Sequence, residues 1–152
     1  LTRIKRIPGT ADDGVINVDD LKAWLTEVRT SCMRYSRGEI ADEMIGQLLA
    51  KAPAGVDGVW PCPPVCEALE WMASQSVAAG FRVGAYNARG VHWRGEGGDD
   101  ERDLSARYRG YANRIAFEYP YVAGILKRLA ASYGRDAQWH DSDAKVRSRL
   151  PY

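Results

Sequence analysis

From Pro120 onward the chain places Val122, Ile125, Leu126, Leu129, Ala130, Tyr133 and Ala137 three and four residues apart, the repeat of one face of an α-helix. A strand alternates its side chains in twos and cannot use such a stripe, so the stripe must be buried against other helices. Proline at its head suits a first helical turn, where the missing N–H costs no hydrogen bond. Strict alternation is absent from the rest of the sequence as well. The chain therefore reads as all-α.

Helical signals punctuate the remainder. Asn17 reads as an N-cap with Asp20 three residues on, opening a helix from about Val18 to Tyr35 with Leu21, Trp24, Leu25, Val28, Cys32 and Tyr35 on its apolar side. Gly38 separates it from a second helix, about Ile40 to Lys51, which Pro53 stops. Four prolines and two glycines between Pro53 and Pro64 exclude a helix there and make a rigid loop, in which Trp60 is expected to plug the core. Pro63 or Pro64 starts a third helix that buries Val65, Ala68, Leu69 and Met72. Ser74 or Ser76 caps a fourth, running to Arg89, and Gly80 and Gly84 on it would let another helix approach closely. A fifth runs from about Asp99 to Phe117 with Leu104, Tyr108, Tyr111, Ala112 and Ile115. The sixth starts at Pro120, and residues 141–150 read as a polar final helix or as its extension. The sum is a compact bundle of about six to seven helices in antiparallel pairs, with a long glycine-rich loop between the fourth and fifth. No internal period of solenoid length is present, which makes the end of a longer helical array the lesser reading. Residues 1–16 read as a linker or arm and 17–150 as one helical domain.

A length of 152 residues is enough for a core without metal or disulfide staples. Three cysteines, Cys32, Cys62 and Cys66, are too few and too odd a set for a disulfide framework, and argue for a reducing, cytoplasmic setting. No apolar run approaches 18 residues, so no membrane span is expected. A net charge of +1 gives no electrostatic reason to expect nucleic acid or an anionic membrane as partner. The first ten residues lack an initiator methionine and the apolar run of a signal peptide, which reads as a basic linker out of a longer chain.

One stretch asks for a chemical explanation. Between Tyr86 and Arg102 the sequence gathers Arg89, His92, Trp93, Arg94, Glu96 and Arg102 among Gly90, Gly95, Gly97 and Gly98. Tyr86 to Gly90 reads as a helix end closed by glycine, with Tyr86 packing on Val91. Asp99, Asp100 and Glu101 read as an acidic first turn suited to the helix dipole. The six charged and aromatic residues form the candidate ligand or partner site, with His92 as a possible acid or base and the arginines as anion clamps. The competing reading is a loop held by its own charge pairs, with Trp93 buried as its anchor. Phosphate binding is disfavoured, because Glu96 stands where a phosphate loop needs Lys and Ser/Thr, and a helix precedes the glycines instead of a strand. Cys62 and Cys66 with His92 and His140 do not have zinc-site spacing. Cys66 lies near a helix N-terminus, where a thiol pKa can fall, but reads better as a small buried hydrophobe. Trp24, Tyr35, Trp71, Tyr108, Tyr111 and Tyr133 have helical spacing and read as core or half-buried face.

Three segments, Ile45–Pro53, Gly58–Cys62 and Asn87–Gly98, together resemble a helical region at the C-terminal end of long, uncharacterised bacterial proteins. The resemblance covers nearly the whole chain and brings no catalytic residues with it. What it implies is a piece of a larger bacterial protein. The expected function is thus a non-catalytic helical interaction or scaffold domain, without cofactor or metal, whose partners are other domains of the parent chain or another protein. The alternative is an enzyme or small-ligand-binding domain whose site is the stretch from Arg89 to Arg102.

Overall fold

The computed structural model describes residues 4–88 and 98–147. Among these residues it is all-helical, with α1 Val18–Met33, α2 Gly38–Leu49, α3 Pro63–Met72, α4 Gln75–Ala88, α5 Asp99–Ile115 and α6 Pro120–Arg147. Residues 141–147 continue α6, and 148–150 lie outside the described residues. Gly90 to Gly97, Val91 and Trp93 included, lie outside the described residues.

The helix ends follow from local chemistry. Asn17 Oδ1 accepts from the N–H groups of Asp19 and Asp20, as its position predicted. α1 stops earlier than its apolar pattern suggests. Ser36 takes a left-handed φ of 54°, and the N–H groups of Arg37 and Ser36 close on the carbonyls of Cys32 and Met33. Tyr35, placed by its spacing on the apolar face, falls in this turn and is 77% exposed. Gly38, in turn, is the first residue of α2. Pro63 opens α3, and Ser74 Oγ accepts from the Val77 N–H at the head of α4. At the head of α6, Glu70 of α3 accepts the Val122 N–H at 2.8 Å, supplying a negative charge and a hydrogen bond where the helix needs both.

Packing is tightest between α2 and α4 and between α5 and α6. Gly80 and Gly84 allow the close approach their spacing suggested, and Gly46 of α2 completes it from the other side. A Cβ at Gly46 would lie 2.1 Å from the Val77 carbonyl oxygen. Buried across these helices are Leu21, Leu25, Ile45, Leu49, Val65, Leu69, Val77, Phe81, Val122, Leu126 and Tyr133. Ile7 and Ile16 join the same core from the segment before α1, which a single bridge between Thr10 and Ile16 folds back on itself. Trp71, read by its spacing as core or half-buried face, is 47% exposed.

One polar knot crosses the core. Asp42 of α2 is buried and accepts two bonds from the Arg29 guanidinium, at 2.9 and 3.0 Å, and one from Ser74 Oγ at 2.7 Å. Tyr121 of α6 donates to the Ser74 carbonyl. Four elements are thereby tied through one carboxylate and its neighbour, and a bidentate guanidinium offsets the cost of burying the charge.

Candidate functional site

Of the six residues singled out between Arg89 and Arg102, only Arg102 lies within the described residues; Arg89, His92, Trp93, Arg94 and Glu96 fall outside them. Arg102 sits where α5 begins. Gly98 offers its N–H to Asp141 Oδ1 on α6 at 3.1 Å, and Arg102 Nη1 donates to Asp141 Oδ2 at 2.5 Å while its other terminal nitrogen pairs with Asp99. A Cβ at Gly98 would meet the Ala137 carbonyl oxygen at 2.4 Å, so the backbone seats directly on α6. Asp99 and Asp141 push the Arg102 pKa above its ordinary value. The guanidinium, and after it the Gly98 N–H, hold Asp141 below the usual carboxylate range. This exposed pairing fixes the start of α5.

Beside it is a feature that sequence spacing did not reveal. Glu101 is only 3% exposed, and one of its carboxylate oxygens lies 4.0 Å from His140 Nε2. The imidazole packs edge-on against Trp139, with ring centroids 5.0 Å apart.

A hollow lies one step along the same helices. A cleft of about 540 Å³ is bounded by the end of α2 and the residues after it, by the last turn of α4, by α5 and by Tyr133 of α6. Its walls are aromatic. Trp60 stacks on Phe81 at 5.1 Å and meets Tyr108 edge-on at 5.8 Å; Tyr108 stacks on Tyr133 at 5.7 Å and meets Tyr111 edge-on at 6.2 Å. Leu104, Tyr108 and Tyr111 are four and three residues apart on α5, which is why one helix presents them together. Trp60 is oriented by its indole N–H, which donates to the Ala52 carbonyl at 2.8 Å. It joins the core as expected, but one face also forms the cleft wall. Ala50, Ala52, Ala54, Ala85 and Ala88 leave the space that larger side chains would fill.

Two cations, Lys51 and Arg107, belong to the lining, and no carboxylate, histidine or thiol does among the described residues. Lys51 Nζ donates to the Ile4 carbonyl at 3.2 Å. The Arg107 side chain makes no hydrogen bond or ion pair with another described residue. A second hollow, of about 520 Å³, shares Lys51 and Ala88 with the first and is lined further by Met44, Gln47, Leu48, Gly84 and Asn87. Clefts of this size are typical of binding sites.

None of the three cysteines belongs to the lining of either hollow. Cys62 and Cys66 are buried and all three thiols are free. The start of α3 does not lower the Cys66 pKa: burial pushes that thiol up to about 12, outweighing the helix dipole, and its Sγ donates to the Pro61 carbonyl. No group of three or more His, Cys, Asp or Glu among the described residues is placed to hold a metal ion. Among the described residues no helix is long and apolar enough to cross a membrane.

No family model, curated protein or solved structure matches the chain.

Proposed function

We propose that the chain is a non-catalytic helical interaction domain, working in the cytoplasm as the C-terminal part of a larger bacterial protein, and that its working surface is the aromatic cleft between α2, α4, α5 and α6. In this reading α2 with α4 and α5 with α6 run as antiparallel pairs, the second joined only by residues 116–119. The partner is another domain of the parent chain or a separate protein. The observation that carries the reading is the composition of the cleft: four ring side chains, a floor of alanines and two cations. That is the equipment of a surface that holds another molecule, since aromatic side chains and arginine dominate binding hot spots. The lining described holds no carboxylate, histidine or thiol, the groups most often used for acid–base work near neutral pH.

Selection of a random peptide library on the purified chain tests this. Clones should be recovered that bind the wild type and not Tyr111→Ala, with both proteins melting cooperatively. Failure to recover any clone, or recovery of clones that bind the variant equally well, contradicts it.

A second reading is favoured by one specific arrangement, the buried Glu101 beside His140 at the foot of the glycine-rich stretch. A carboxylate and an imidazole kept from water can serve as an acid–base pair, which would make the stretch from Arg89 to Arg102 a catalytic or small-ligand site. His92→Ala and Trp93→Ala separate the two. A large loss of melting temperature from Trp93→Ala alone fits a structural loop, whereas unchanged melting with lost ligand binding in both fits the second reading.

A further inference from the structure

Resting on the interaction reading above, we propose that the cleft receives a peptide segment of a protein partner that presents a large aromatic side chain flanked by carboxylates. The ring enters among Trp60, Tyr108 and Tyr111, and the carboxylates meet Arg107 and Lys51.

Three observations point the same way. The rings of the cleft already form an edge-and-face array with centroids 5.7 to 6.2 Å apart, the spacing at which another aromatic ring can join by stacking or by its edge. The alanine floor keeps that place open. Charge is the second observation. Lys51 and Arg107 stand on the lining without an acidic residue among them, and Asp103, one turn before Arg107 on α5, is not bridged to it. An incoming carboxylate finds a planar donor fork on Arg107 and a point charge on Lys51. Like charges would be repelled, so the same two residues set selectivity against basic segments.

Shape is the third. The second hollow adjoins the first at Lys51 and Ala88, and two hollows side by side suit an extended segment better than a compact molecule. In the second, Gln47 and Asn87 carry amides able to pair with both the N–H and the C=O of a peptide group, and Met44 supplies a side chain that adapts to varied neighbours. Single-stranded nucleic acid also stacks on aromatic platforms, but it needs a basic groove along its whole backbone, and two cations do not make one.

The composition of the selected peptides tests this. Clones recovered on the wild-type chain should be enriched in Phe, Tyr or Trp with Asp or Glu within three positions. Selection on the doubly substituted Lys51→Glu, Arg107→Glu chain should lose the acidic enrichment and keep the aromatic one. A synthetic peptide of the leading clone should bind the double variant at least tenfold more weakly than the wild type. Clones rich in Lys or Arg, clones without ring residues, or an oligo-dT strand that binds more tightly than the leading peptide and competes with it would each overturn the proposal. Clones that depend on Tyr111 but have another chemistry would sink this inference while leaving the interaction reading standing. The absence of any clone would sink both.

Discussion

Gly80 of α4 lies so close to α2 that a Cβ added to it would sit 1.9 Å from the carbonyl oxygen of Glu43. The obstacle is backbone, which cannot rotate away, so the two helices must separate to admit a methyl group. Gly80→Ala should therefore destabilise the fold by about 3 kcal/mol, at the upper end of overpacking costs, despite the roughly 1 kcal/mol that alanine gains over glycine in a helix. Gly110→Ala on α5, where a Cβ would meet nothing within 4 Å, should stabilise by about 0.5 to 1 kcal/mol. Denaturant melts of the pair check both signs at once; equal shifts in the same direction would contradict the close approach.

Asp42→Ala should cost about 2 to 4 kcal/mol. The substitution leaves the Arg29 guanidinium and Ser74 Oγ without their common acceptor, and loss of one member of a buried pair is usually worse than loss of both. The double variant Asp42→Ala, Arg29→Met should thus recover part of the loss. Chemical denaturation of the two variants measures it.

Leu126 and Leu129 are buried on the stripe of α6. Replacing either by alanine should cost about 2 to 5 kcal/mol. Melts close to the wild type would show that this face does not pack as described.

Alkaline stability follows from the raised pKa values. Cys66 rises from 9.0 to about 12 and Tyr119 from 10.0 to about 12 on folding, each mainly through burial. The folded state therefore holds protons that the unfolded state releases, so stability is unaffected by these groups below about pH 9 and declines as pH climbs from 9 toward 12. Cys66→Ala should make that decline shallower above pH 9 while lowering stability by a constant amount below it. Urea melts from pH 7 to 11 test the slope; an unchanged slope would mean the Cys66 thiol ionises as readily folded as unfolded.

What the sequence made legible was local. The apolar repeat of α6, the Asn17 and Ser74 caps, proline at the head of α3 and the close-packing glycines of α4 are short-range signals, each tied to a backbone or packing need within a few residues. The end of α1 was misjudged because a serine, not a glycine, adopts the left-handed turn at residue 36. Ile7 and Ile16 left no period, since each is a lone apolar residue in a turn-rich segment. The Asp42 knot and the cleft were invisible for a different reason. Arg29 and Asp42 come from two helices and Ser74 from the link before α4, and Trp60, Tyr111 and Tyr133 come from three separate elements. Helically spaced aromatics look the same in sequence whether they fill a core or wall a cleft. Only the alanines opposite them decide, and those lie far away in the chain.

The central claim is that the aromatic cleft is the binding surface, and the indole N–H signals of the protein report on it directly. Trp60 forms the cleft wall, whereas Trp71 and Trp139, 47% and 64% exposed, lie outside its lining and offer rival apolar surfaces. A ¹⁵N-labelled sample titrated with the leading selected peptide should show the Trp60 indole resonance shifting in a saturable way, with Trp71 and Trp139 unmoved and the response lost in Tyr111→Ala. Saturable shifts confined to Trp71 or Trp139, with Trp60 constant, would contradict the account.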